Sequence, residues 1–407
     1  MRNRSVALSA IILTLFSVTL SYLKFARCID TGWISPAVYQ LGCYTDITAL
    51  YDARGFAVDK WPYGSGSNSL EYPLLSGIGI WFIALVTKDG SAGLHQFFYL
   101  NIFAISIIYL FLLYLTTRIE RKSALVFAIS PAVISALFIN WDIWAITPMI
   151  AAFYLLNKHL YRISGALLAV SIFLKFFPVI FVVPILFFIW RRPLARAPFL
   201  QGLFISTLLF NIPFILSDPS GWAKFYIFNY QRGVDFGSLW YLISLKGSWI
   251  SELNWIATPV VLALLFMVYF RYRNDLMGSI YLASVIFFTL NKVYSPQYVL
   301  WLTVISLLFF PKTRIFYLLF AIWQSAEVAY QIGIWRHLLS ILQESGGITA
   351  DTYIVITAIR ILTLLLMAGY ALYLLENNFV KRGGGESDRQ SDLFAHLRWS
   401  PRLEIQK

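Results

Sequence analysis

The stretch Ile163–Trp190, ISGALLAVSIFLKFFPVIFVVPILFFIW, holds a single charged residue, Lys175, with Pro178 close behind it. A proline interrupts helix continuation, and a charge in the middle of an apolar run is costly in hydrocarbon. The stretch is therefore read as a short hairpin, Ile163–Leu174 and Phe176–Trp190, with Lys175 at its tip. This choice decides the fold. One long helix here, combined with a spanning Tyr72–Thr87, keeps the parity of the chain ends but turns its middle over. Arg118, Arg121, Lys122, Lys158 and Arg162 would then all lie outside, against the rule that basic connections stay cytoplasmic. With the hairpin in place, Tyr72–Thr87 is read as lying along the outer interface.

Outward from the hairpin the apolar runs follow one another. They are Val6–Leu23, Gln96–Thr117, Ser123–Ile139 and Ile143–Asn157 before it. After it come Phe199–Leu216, Trp255–Phe270, Leu276–Leu290, Tyr298–Phe310, Ile315–Trp335 and Thr352–Leu375. The expected fold is an all-α polytopic integral membrane protein of about twelve transmembrane helices, with both termini cytoplasmic and interfacial helices in a long first external loop. Composition agrees: of 407 residues 59% are hydrophobic and only 13% charged, far from the balance of a soluble domain. The net charge of +12 is spread over short basic clusters between apolar runs, so it sets orientation and implies no nucleic-acid partner. Arg2 and Arg4 before Val6–Leu23 resemble a signal peptide. Lys24-Phe25-Ala26-Arg27-Cys28 offers no small-residue cleavage site, which favours an uncleaved first helix.

Polar sequence then gathers outside, in loops 25–95, 217–254 and 336–351 and in three compact turns. Residues 1–375 form one transmembrane domain, and 376–407, with Gly383-Gly384-Gly385, read as a flexible cytoplasmic tail. Cys28 and Cys43 share the first external loop. A disulfide there would close about 15 residues and contribute ~3 kcal/mol, but two free thiols are the simpler reading.

No nucleotide-binding signature and no metal-ligand spacing occurs, so neither a nucleotide cofactor nor a metal is expected. What remains is a set of external ionisable groups. Asp46 opens a helical-looking stretch. Such an Asp can cap the helix, or, partly buried, act as a general base; on spacing alone capping is the simpler role. Arg232 and Asp235 sit among aromatics and glycines, Lys292 lies at the mouth of a helix pair ended by Pro296, and Lys175 tips the hairpin. Any one lysine can merely lift its ammonium to the interface. Three external cations beside a carboxylate point instead to an anionic, lipid-borne ligand.

Tyr44-Thr45-Asp46-Ile47, Glu71-Tyr72-Pro73, Asn140-Trp141-Asp142, Lys175 with Pro178, Asp235-Phe236-Gly237-Ser238-Leu239-Trp240-Tyr241 and Asn291–Tyr298 recur in this order. The run, over roughly residues 1–375, resembles GT-C superfamily membrane glycosyltransferases, near the actinobacterial polyprenol-phosphate-mannose-dependent α-mannosyltransferases of glycosyltransferase family 87. Ile47 stands where relatives place a second acidic residue beside the first. The resemblance implies a GT-C-like fold in the cell membrane. It also implies transfer of a sugar, mannose favoured, from a polyprenyl-phosphate donor to an envelope glycolipid or glycan acceptor. Asp46 would be the general base, and Lys292, Arg232 and Lys175 would hold the donor phosphate. Glu71, Tyr72, Asp142, Asp235 and Gln297 would contact acceptor or sugar. The rival class is a multi-pass transporter or lipid or lipid-linked-sugar flippase, favoured by Glu327 within a span and by prolines that interrupt several helices.

Orientation is testable directly. Single cysteines at Glu120 and Gly233, in a background lacking Cys28 and Cys43, should label oppositely. An impermeant thiol reagent on intact cells should reach position 233 and spare 120; labelling at 120 would restore the inverted topology.

Overall fold

The structure, a computed structural model, describes residues 2–64, 69–88, 90–247 and 254–381. Among these, every regular element is helical. In chain order the α-helices are α1 (Arg2–Phe25), α2 (Ala37–Gln40), α3 (Asp46–Ala53), α4 (Leu74–Ala84), α5 (Gly90–Ile119) and α6 (Arg121–Ile129). Then come α7 (Pro131–Ala136), α8 (Asp142–Asn157), α9 (Tyr161–Leu174), α10 (Val182–Ile189), α11 (Pro193–Ser217) and α12 (Pro219–Gln231). The series ends with α13 (Leu239–Ser244), α14 (Asn254–Arg271), α15 (Leu276–Leu290), α16 (Val299–Phe309), α17 (Arg314–Ile341) and α18 (Ala350–Lys381). Helix α18 passes the boundary expected at residue 375. The rest of the expected tail, from 382 onward, lies outside the described residues, as do 65–68 of the glycine-rich connection after Gly64.

Each apolar run found in the sequence is helical, with two corrections. Ser123–Ile139 is two helices, α6 and α7, because Pro131 forces Ser130 out of the helical region (ψ 121°). Phe176–Trp190 begins as a 3-10 turn, Phe177–Phe181, before α10. Among the described residues, four helical segments are long and apolar enough to cross a membrane: Arg4–Cys28, Ala92–Ile119, Pro193–Ser217 and Ala350–Asn377. Shorter apolar helices of 10–17 residues accompany them. The rim helices turn large apolar side chains outward, such as Leu15 on α1, Leu209 on α11, Phe266 on α14 and Leu366 on α18. Helix α16 at the centre is buried along its whole length. Apolar both inside and outside, the bundle has the surface of a helical membrane protein.

The chain does turn at Lys175, but the two arms of the turn do not pair. Phe173 packs on Phe210 (5.9 Å between ring centroids), and Gly165 lies against Phe199, so α9 and α11 run side by side in the same direction. The chain must return between them. The 3-10 turn and α10 make that return against α14 and α15, with the Tyr269 hydroxyl donating to Ile180 O in the 3-10 turn (2.7 Å). Gly165 and Gly202 explain the partner choice. A Cβ on either would strike a backbone carbonyl of the opposite helix, so only glycines allow this approach. Serines fasten other neighbours: Ser171 to Ala145 O (2.7 Å), Ser164 to Ala152 O (2.8 Å), and Ser17 to Ala128 O (2.7 Å).

These pairings place the polar groups. Lys312 and Glu120 (3.4 Å), and Arg271 and Glu376 (2.8 Å), meet at one end of the bundle. The first loop, the start of α8, the tip at Lys175, and the segments 232–240 and 291–298 share the other. Helix α4, of 11 residues, spans ~16 Å and stays at this second end, with Ser76 bonded to Leu174 O and Trp81 to Asp59 O. Cys28 and Cys43 form a disulfide there (Cα–Cα 6.1 Å), correcting the expectation of free thiols. Spacing could not show it, because α1 and the Gly42 turn meet only in the folded chain.

Gly202→Ala should lower the melting temperature in detergent, since overpacking at this crossing costs roughly 1–3 kcal/mol. Gly369→Ala, whose new methyl enters open space, should leave the melt unchanged or raise it.

Candidate active site

The start of α3 aims Asp46. Thr45 is the N-cap: its backbone is extended (φ −145°, ψ 135°), and its hydroxyl accepts from Ile47 N (3.2 Å) and donates to Phe138 O (2.6 Å). The capping role that spacing alone favoured for Asp46 thus belongs to its neighbour. The Asp46 carboxylate is free to turn inward and receives three hydrogen bonds. The Tyr44 hydroxyl donates to Oδ1 (2.9 Å), and the Tyr72 hydroxyl (3.1 Å) and Asn140 Nδ2 (2.8 Å) donate to Oδ2. Its backbone N–H is tied to Ile139 O (2.8 Å), fixing the helix start against the turn before α8. Burial pushes the Asp46 carboxyl above the usual carboxylate range. The Tyr44 hydrogen bond, the positive charge of Lys175 and the bonds from Tyr72 and Asn140 oppose that shift without cancelling it.

Lys175 belongs to this same group. Its ammonium pairs with Asp142 Oδ2 (3.2 Å) and lies near the rings of Tyr72 (5.1 Å) and Tyr298 (5.9 Å). Asp142 is fully buried, and its other oxygen accepts from Trp301 Nε1 (2.6 Å). A carboxylate so engaged is a holder of Lys175 rather than a base. The Glu71 carboxylate is likewise occupied, in a two-pronged pair with Arg54 (2.6 and 2.7 Å) that ties α3 to the chain before α4. Of the residues expected to contact acceptor or sugar, Tyr72 touches Asp46, while Glu71 and Asp142 are committed to cations.

A second group stands beside the first. Ser295 donates to Asp235 Oδ2 (2.8 Å), and Asp235 N–H donates to Lys292 O (2.8 Å), zipping the two loops together. Lys292 Nζ donates to Tyr230 O (3.1 Å) and Arg232 O (2.8 Å) at the C-terminus of α12, where a cation complements the helix dipole. That leaves one of its three N–H groups to spare. Burial and the like charge of Arg232 lower the Lys292 proton affinity. Among the described residues, neither Arg232 nor Lys292 has a carboxylate partner. Tyr298 joins the two groups: its ring flanks Lys175, and the charges of Asp142, Arg232, Asp235 and Asp46 all reach it. The Gln297 side chain beside it is buried.

Asp46, Tyr72, Asp142, Lys175, Arg232, Asp235, Lys292 and Gln297 are therefore brought to one end, and Glu71 to its margin. Sequence reading gave no role to Tyr44, Asn140, Ser295, Tyr298 or Trp301. The first four lie inside quoted motifs, which was the available signal; Trp301 lies within an apolar run that gave none. Compared with protein-family models and with curated proteins, the chain matches none.

If Thr45 caps and Asp46 does not, Thr45→Ala should destabilise the protein by about 1 kcal/mol through loss of the cap. Asp46→Asn, which keeps the shape, should melt close to the parent. A larger loss in Asp46→Asn than in Thr45→Ala would return the capping role to Asp46.

Proposed function

We propose that the chain is a membrane glycosyltransferase. On this reading it crosses the membrane about twelve times, with both termini on the basic, cytoplasmic side and the Asp46 end facing out. It moves a sugar, mannose favoured, from a polyprenyl-phosphate donor to a glycolipid or glycan acceptor of the envelope. The observation that carries the reading is the pairing of an inward-turned, non-capping carboxylate with two cations, Arg232 and Lys292, that lack a carboxylate partner among the described residues. A base and an unneutralised anion site side by side are what transfer from a phosphate-linked sugar requires.

The step balances without further reagents. Asp46 takes the proton of the acceptor hydroxyl as its oxygen attacks the anomeric carbon. The bond from that carbon to the phosphate oxygen breaks, and the electron pair leaves with polyprenyl phosphate. Lys292 and Arg232 stabilise the growing negative charge, more strongly in a site of low dielectric. Lys175, grouped with Asp142 and Asp46, acts on the base rather than the phosphate: its charge opposes the rise that burial imposes on the Asp46 carboxyl. The rival transporter reading drew on Glu327 within a span and on prolines that interrupt helices. Glu327 is fully buried and ion-paired with Arg360 (2.9 Å), which gives it a structural partner. Pro148, Pro198, Pro213 and Pro259 do lie inside helices.

The test is transfer of labelled sugar from a polyprenyl-phosphate donor by the purified protein in liposomes. Asp46→Asn should reduce turnover at least ~10²-fold, the low end for loss of a general base. Near-normal turnover in Asp46→Asn would move the base elsewhere, Asp235 first.

The pH profile should be a bell. A raised Asp46 loses its basic form as pH falls through its shifted value, and a lowered Lys292 loses its charge as pH rises. Lys175→Met should move the acid limb to higher pH, and Lys292→Arg the alkaline limb to higher pH. Unmoved limbs would dissociate both groups from the rate.

A further inference from the structure

Away from the site, a buried arginine lies deep in the bundle with its charge fully matched. Arg360 of α18 and Glu327 of α17 have no exposed side-chain surface and pair through Nε and Oε2 at 2.9 Å. The guanidinium is sandwiched between the rings of Tyr294 (3.5 Å) and Tyr330 (3.8 Å). Glu327 Oε1 accepts from the Tyr294 hydroxyl (2.9 Å) and Trp323 Nε1 (3.1 Å). An ion pair this buried is weak evidence for stability, because desolvation offsets most of its attraction. Its other contacts suggest what it is for. Arg360 Nη1 donates to Tyr294 O (2.9 Å) and Nη2 to Ser295 O (3.2 Å), two successive carbonyls of the loop that carries Lys292. A Cβ on Gly237 would collide with Tyr294 O and the Tyr330 hydroxyl and come close to Arg360 Nη1, so the loop carrying Asp235 rests on the same platform. Tyr353, also on α18, donates to Phe236 O (2.8 Å) and clamps that loop from its far side.

We propose that the Glu327–Arg360 pair is a positioning device that sets the two cation-bearing loops, and hence the anion site, against the bundle. The planar, five-donor guanidinium suits this role, because one donor holds Glu327 while others hold two carbonyls at fixed spacing. Glu327 is the counter-charge that lets Arg360 remain in hydrocarbon. The inference rests on the glycosyltransferase reading only for the identity of the anion. The placement of the loops is a separate matter and is tested separately.

The experiment uses the full-length protein in detergent and compares the parent with the double variant Arg360→Met/Glu327→Met. That variant replaces the pair with apolar volume and so leaves no unpaired buried charge. It also frees the carbonyls of Tyr294 and Ser295. Hydrogen exchange should accelerate at segments 235–238 and 291–298 and stay unchanged in α8 and α9. Binding of a C55 polyprenyl monophosphate should weaken at least ~10-fold, because small displacements of a charged site cost this much or more. Arg360→Lys, which keeps the charge but not the fork, should fall between the two. Parent-like exchange in both segments, or parent-like binding in a folded double variant, would overturn the proposal. If the double variant fails to fold, Arg360→Lys decides on the same two readouts. A parent that does not bind the polyprenyl phosphate, with exchange responding as stated, would sink the lipid-phosphate reading and leave the positioning role standing.

Discussion

Charge has few places to go in this molecule, and the structure follows from that constraint. With apolar side chains filling the core and covering the rim, an ionisable group must lie at an end of the bundle or be fully partnered within it. Glu327 and Arg360 take the second course, with both rings of a tyrosine pair closing over the guanidinium. Asp142, at an end of the bundle but fully buried, is partnered as completely, by Trp301 and Lys175. The remaining charges divide between two ends of different character. One is basic and joined by short connections. The other has long loops, the disulfide, and a mixture of carboxylates, cations and tyrosine hydroxyls.

At that second end, the division of labour comes from which groups are already spent. Glu71 is held by Arg54, Asp142 by Lys175 and Trp301, and Thr45 by its cap. Asp46 is hydrogen-bonded only by neutral donors, which on the proposed reading leaves it able to act as a base. Lys292 Nζ is hydrogen-bonded only to backbone carbonyls and has no carboxylate partner among the described residues. On the proposed reading, groups held in place without being neutralised are the ones a substrate would meet.

Much of the fold was legible because hydrophobic run length reports directly on helices. Leu276–Leu290 matches its helix at both ends, and the reversal at Lys175 was visible from one lysine and one proline. The failures have local causes. Pro131 split a run whose hydropathy is continuous, and the Gly165–Gly202 crossing drew α9 to α11 instead of α10. The site was legible as a set of positions rather than as roles. Thr45 and Asp46 are both good caps, and only the fold shows which of them caps. Asn140 reaches Asp46 across 94 positions of chain, a separation that no local pattern reports. Trp301 is indistinguishable from any core aromatic until Asp142 is placed beside it.

The central claim is that one carboxylate and a cation pair perform a single direct displacement. Its most direct test is the anomeric configuration of the transferred sugar, read by NMR on the product and compared with the donor. One attack from the face opposite the leaving phosphate inverts that centre, whereas passage through a covalent enzyme intermediate restores it. The account predicts inversion. Retention would contradict it, since it requires a second displacement rather than one.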